Sequence, residues 1–104
     1  MSDCIFCDII SRKIPSDIIY ENDNLIVISD LHPKAPIHKL IIPKLHIPTF
    51  NEAAPNVLAT LGEGAQQLAR QLGVQTSGFR LIVNCQRGGG QEIFHLHLHF
   101  LANK

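Results

Sequence analysis

The chain has 104 residues, 45% of them hydrophobic, and nine basic residues balance nine acidic ones. That length and apolar content suit one domain with a real core and exclude the disordered class. The balanced charge excludes the broad basic field of a duplex-binding protein, and no apolar run approaches the ~20 residues that span a bilayer.

In chain order, "DCIFCDIISRK" places Ile5, Phe6, Ile9 and Ile10 at the spacing of a short amphipathic helix, with Asp3 as its expected cap and "IPSD" as its end. "IIYE" and "LIVIS" are β-rich runs around Asn22, Asp23 and Asn24, which predicts a hairpin. "DLHPKAP" is a turn-rich connection, "HKLIIP" a third strand, and "KLHIPTFNEAAP" an irregular loop. From Val57 to Leu72 apolar residues recur at three- and four-residue steps, the pattern of the main helix, with Gly73 as its stop. "FRLIVN" is a fourth strand, "CQRGGGQ" a loop, and "EIFHLHLHFL" a fifth strand. Hairpin-length connections make the class α+β with an antiparallel sheet.

The first ten residues lack the charged-then-apolar order of a secretory signal, which predicts a cytoplasmic protein. In that reducing compartment the odd set Cys4, Cys7 and Cys85 reads as thiols or metal ligands and not as a disulfide framework.

On a strand, alternate side chains share a face, so His95, His97 and His99 form a row of imidazoles roughly 6–7 Å apart. Phe94, Leu96, Leu98 and Phe100 back them. A solvated face is the plain reading of any one of these histidines, but strict alternation of three is a stronger pattern. A shared metal is another reading. Gly88, Gly89 and Gly90 precede the run, and glycines let backbone N–H groups approach an anion. His38 opens the third strand. Imidazoles beside a phosphate cradle suit metal-free phosphoryl or nucleotidyl transfer, one ring attacking phosphorus while its neighbours position it.

His95-Leu-His97-Leu-His99-Phe-Leu resembles the His-x-His-x-His-x-x pattern of the histidine triad (HIT) family. The resemblance runs through "CIFCDIISRKIPSDIIYEND", "ISDLHPKAPIHKLIIPKLHIP" and "GFRLIVNCQRGGGQEIFHLHLHFL", and treats residues 1–104 as a single HIT domain. The short length and "HPKAPIHKLIIPK" are most similar to the Hint branch, purine nucleoside phosphoramidate hydrolases. The resemblance implies a five-stranded antiparallel sheet with one long and one short helix, continued across a homodimer. It implies a purine nucleotide (AMP- or GMP-type) as substrate, with neither nucleic acid nor membrane as partner.

By the same resemblance His97 is the nucleophile, forming a nucleotidyl-histidine intermediate. His99 and His38 contact the phosphate or support the nucleophile, and the backbone carbonyl of His95 orients His97. Asn84 and Gln91 hydrogen-bond the phosphate region and leaving group, with Gly90 in the phosphate loop. Glu92 stands where many animal relatives carry serine and tunes the leaving group. Asp30 accepts from the ribose hydroxyls. Ile5, Phe6, Ile9, Ile28 and Leu31 form the purine slot. Taken one at a time, Ile5, Ile9 and Ile28 also read as core, and Asp30 and Asn84 as turn residues. "FLANK" ends where relatives continue with Gly-Gly and a tail that shapes the leaving-group site, so leaving-group specificity is open.

Cys4-Ile-Phe-Cys7 alone is half of a zinc site, or two thiols on a short helix. Some HIT proteins, and the related galactose-1-phosphate uridylyltransferases, complete a tetrahedral zinc with two histidines. By position these are His46 and His95, which makes a structural zinc one reading while catalysis requires no cofactor. The alternatives to a phosphoramidate hydrolase are a Fhit-like dinucleoside polyphosphate hydrolase and a nucleotide-binding or interaction module with incidental turnover.

Overall fold

Asn22 makes the first hairpin. Its Oδ1 accepts from the N–H groups of Asn24 at 2.8 Å and Leu25 at 2.9 Å, an Asx turn that competes well with extended backbone. It joins β1 (Ile18–Glu21) to β2 (Leu25–Ser29). The computed structural model describes residues 3–103. Its remaining elements are α1 (Ile5–Ile10), β3 (Ile37–Pro43), α2 (Pro55–Leu72), β4 (Arg80–Ile82) and β5 (Leu98–Ala102), with single 3-10 turns at Phe50–Glu52 and Arg87–Gly89 inside the two segments read as loops. The strands form one sheet in the order β1-β2-β3-β5-β4, every neighbouring pair antiparallel. The α+β class with one long and one short helix is as read from the sequence. Among the described residues no helix is long and apolar enough to cross a membrane.

The two faces of the sheet carry separate cores. Leu25, Val27, Ile41, Leu98 and Phe100 pack with Leu61, Ala65, Leu68 and Ala69 of α2. Ile26, Ile28, Leu40 and Ile42 pack with Phe6 and Ile9 of α1. Strands covered on both faces have no polar side to show, which is why "LIVI" of β2 is apolar without alternation. Gly64 lets α2 come close to the sheet: a Cβ there would lie 2.8 Å from Leu25 Cδ2. Gly73 ends α2 in the left-handed conformation at φ 71°, as its position in the sequence suggests.

Four elements differ in their boundaries from the sequence reading. Asp3 does not cap α1; Cys4 does, its Sγ accepting from Cys7 N–H at 3.3 Å. Helix α2 begins two residues early because Pro55 fits a first helical turn that needs no N–H. The fourth and fifth strands are shorter than "FRLIVN" and "EIFHLHLHFL". Before Leu98 the chain leaves the ladder: Pro43 has no N–H to offer, and Leu96 N–H donates to Ile47 O at 2.7 Å instead. Phe94 is therefore not part of the apolar backing and is 37% exposed.

Candidate active site

The three triad histidines all face α1, but only His99 lies on a strand. The row of equivalent imidazoles expected from the alternation does not form, because each ring is pinned differently. His97 Nδ1 lies 2.8 Å from the carbonyl oxygen of His95. Only an N–H can satisfy that carbonyl, so the proton is on Nδ1 and the lone pair on Nε2. Phe6 meets the His97 ring edge-on, with centroids 5.0 Å apart. Burial lowers the His97 pKa from 6.5, against the opposing pull of the His95 carbonyl and the Asp30 charge. The ring is neutral at pH 7, with Nε2 ready to attack an electrophile.

A second set surrounds His99. Lys34 N–H donates to His38 Nδ1 at 3.1 Å, which leaves the proton of that ring on Nε2. His38 Nε2 then faces His99 Nδ1 at 3.0 Å and Asp30 Oδ2 at 3.4 Å. His99 accepts at Nδ1 and so carries its own proton on Nε2. Burial, with the charges of His97 and His38, pushes the His99 pKa down to about 4. Asp30 Oδ1 also accepts from His32 N–H at 2.7 Å, so the turn reading of Asp30 and its place in the cluster both hold. Asp30, His38 and His99 lie close enough to hold a cation. The backbone bond from Lys34 favours the hydrogen-bonded chain, since it keeps the His38 nitrogen that faces the others protonated.

The glycine loop differs from expectation. The N–H of Gly89 and that of Gln91 turn inward to Gln86 O, and Gly90 N–H to Arg87 O, so these three do not point at a ligand. Gln91 is 5% exposed. Its Nε2 donates to Pro48 O at 2.8 Å and Ile93 O at 3.0 Å, and its Oε1 accepts from Gln86 N–H at 2.9 Å. Both amide hydrogens are spent on backbone, and none is left for the phosphate contact the resemblance implied. Gln86 sits at φ 65°, ψ 174°, a region that costs a non-glycine residue about 1–3 kcal/mol. Asn84 is half-buried and its side chain makes no hydrogen bond among the described residues. Glu92 is exposed beside a groove shared with Ile5, Cys7, His46 and Phe94.

The residues assigned to the purine slot divide. Phe6, Ile9 and Ile28 are buried core, whereas Ile5 and Leu31 are 44% and 84% exposed. Surface for a flat apolar ligand is offered chiefly by the last two.

His95 is fully buried. Its Nε2 donates to Pro43 O at 2.8 Å, which aims the lone pair of Nδ1 the other way. That atom lies 3.1 Å from His46 Nδ1, 3.2 Å from Cys4 Sγ and 3.6 Å from Cys7 Sγ. Cys7 Sγ is 3.3 Å from His46 Nδ1. Zinc bonds of about 2.0–2.3 Å give tetrahedral edges on this scale, and two thiols with two imidazoles are a zinc donor set. Without a metal, burial and neighbouring Cys4 and Asp8 push the Cys7 thiol up to about 11.

Sequence reasoning found every side chain in both clusters. It missed Pro43, Lys34 and Gln86, which act through backbone atoms and leave no side-chain signature.

A HIT domain matches residues 11–104. The chain is 44% identical over 103 residues to a purine nucleoside phosphoramidase of Escherichia coli (strain K12), covering 96% of this chain and 87% of that one. It is similar to a HIT family hydrolase from Legionella pneumophila, with TM-score 0.93, 40% identity, and coverage of 98% and 94%. It is also similar to a zinc-bound histidine triad family protein from Mycobacterium smegmatis, with TM-score 0.90, 31% identity, and coverage of 98% and 76%.

Proposed function

This chain belongs to the HIT family, with the nucleotide-hydrolase role that membership carries, and on that premise we propose that it cleaves the P–N bond of purine nucleoside 5'-phosphoramidates. The observation that carries the reading is the His97 ring, held neutral and with its Nδ1 proton on His95 O at 2.8 Å. In the first step His97 Nε2 bonds to phosphorus, the P–N bond of the substrate breaks, and its electron pair leaves with the nitrogen, which takes a proton from solvent. In the second step water attacks phosphorus and gives up a proton to solvent, the bond to Nε2 breaks with its electron pair returning to the ring, and nucleoside monophosphate departs.

The neighbours fill distinct roles. His99 Nε2–H, kept in place by His38, donates to a phosphate oxygen, as does the free Asn84 amide. Asp30 receives the ribose hydroxyls, and Ile5 and Leu31 flank the purine beside Phe6, Ile9 and Ile28. Glu92 lies on the leaving-group side. Residues 1–104 act as a single domain. Its homodimer continues the sheet through β4, an edge strand on which Leu81 is 45% exposed.

Cys4, Cys7, His46 and His95 would hold zinc as a closed four-ligand site. Such a site supplies fold stability and no open position for substrate.

The test is competition between adenosine 5'-phosphoramidate and a diadenosine polyphosphate. Faster release of AMP from the phosphoramidate is expected. Preferential cleavage of the polyphosphate would overturn the P–N assignment, and AMP binding without turnover of either would reduce the protein to a nucleotide-binding module.

A further inference from the structure

From the buried carboxamide of Gln91 we infer that this residue is a positioning residue: it builds the loop between Cys85 and Glu92 into the cradle that distinguishes a nucleotide from a nucleoside. The inference rests on the nucleotide reading above, and it assigns Gln91 a role through the backbone in place of direct contact.

Three observations converge. The carboxamide ties the two ends of the loop, Gln86 N–H and Ile93 O, to each other and to the distant Pro48 O. Its own backbone N–H returns to Gln86 O at 3.0 Å. Gln86, held from both its N–H and its carbonyl by this one residue, adopts a conformation open mainly to glycine. A strained residue persists only where its surroundings over-determine it, and here the surroundings are Gln91.

The consequence is which donors face outward. Gly89, Gly90 and Gln91 spend their N–H groups inside the loop. Glu92 N–H makes no hydrogen bond among the described residues, and it follows Gln91 directly. Asn84, with its free amide, lies against the same loop: a Cβ on Gly89 would be 3.9 Å from the Asn84 carbonyl carbon. The clamp thus closes the loop on itself and leaves the Glu92 N–H and the Asn84 side-chain amide among its anion donors, with the N–H groups of Arg87 and Gly88, which make no hydrogen bond among the described residues. Its hydrogen bonds go to Gln86, Pro48 and Ile93 and none to α1 or Leu31; Ile93 alone packs against the core it shares with Phe6 and Ile9, so a nucleoside without phosphate is expected to respond much less than a nucleotide.

The experiment compares the affinities of AMP and adenosine for the wild type and for Gln91→Met, which keeps the volume and removes all three bonds. The wild type is expected to prefer AMP. In Gln91→Met the AMP affinity is expected to fall about tenfold with adenosine within about twofold, and a merely structural loss would weaken both alike. Retention of the full AMP preference in a folded Gln91→Met chain would overturn the inference and leave the nucleotide reading intact. A wild type without AMP preference would overturn both.

Where Gln91→Met fails to fold, hydrogen exchange in the wild type decides. Slow exchange of the Gln86 amide in an otherwise exposed loop supports the clamp, and fast exchange contradicts it.

Discussion

His95 and His97 stand two residues apart on the same face of the fold and have opposite chemistry. At His95 a carbonyl, Pro43 O, takes the Nε2 proton, and the Nδ1 lone pair points into two thiols and a second imidazole. At His97 a carbonyl, His95 O, takes the Nδ1 proton and leaves Nε2 as the lone pair. Around His95 two sulfurs and two ring nitrogens converge within 3.1–3.6 Å, a donor set that suits a cation once the thiols lose their protons. Around His99 donors and acceptors alternate from Lys34 N–H through His38, which is what a phosphate and a proton need. On the proposed reading, which backbone carbonyl claims which ring nitrogen separates the ring proposed as metal ligand from the ring proposed as nucleophile, and residue type does not.

The largest expected effect breaks the His97 side alone. His97→Ala should lose at least about a thousandfold in kcat, with zinc content and Tm essentially unchanged. Activity assays with metal analysis check both halves.

The mirror experiment breaks the other side. Cys4→Ser with Cys7→Ser, or a strong chelator, should remove bound zinc and lower Tm by on the order of 10 °C, about 2 kcal/mol for a domain of this size. Below that Tm, AMP affinity should persist. Loss of AMP binding in a folded, zinc-free chain would show that the two halves are not separable.

How much of this was legible in the sequence follows from the same contrast. The alternation of His95, His97 and His99 and the C-x-x-C of Cys4 and Cys7 were visible, because they are side chains at fixed spacing. The division of labour between His95 and His97 came only through the family resemblance and not from the residues themselves, since it turns on Pro43 O and on the break in β5. A strict period-2 pattern reads as one continuous strand. It could not show that Pro43 lacks the N–H that would extend the ladder, nor that Leu96 pairs with Ile47 instead. The hairpin at Asn22 and the stop at Gly73 were legible for the converse reason: there the side chain, or its absence, makes the structure. Gln91 was visible but given a ligand contact, because a polar residue beside glycines says nothing of its burial.

Smaller effects sharpen the His99 side. His38→Asn should reduce kcat about 10–100-fold by freeing the His99 ring, and chelator should not alter that ratio. The smallest effect is acid dependence. His99 titrates near 4 in the folded chain against an ordinary 6.5. Between those values the unfolded chain binds the proton and the folded one does not, so lowering pH from 6.5 toward 4 destabilises the fold. The expected loss is on the order of 1–2 kcal/mol after allowing for solvent screening at this partly exposed ring. A ring-nitrogen NMR titration of His99 should show its midpoint near 4, and a midpoint near 6.5 would contradict the burial and the neighbouring His97 and His38 charges that hold it down.

The most direct test is to quench the reaction with adenosine 5'-phosphoramidate in base, where a P–N bond to imidazole survives, and to map the attached nucleotidyl group by tandem mass spectrometry. The account predicts the group on His97, in the same amount with and without chelator. A group on His95, His99 or His38, or one that requires metal, would contradict it.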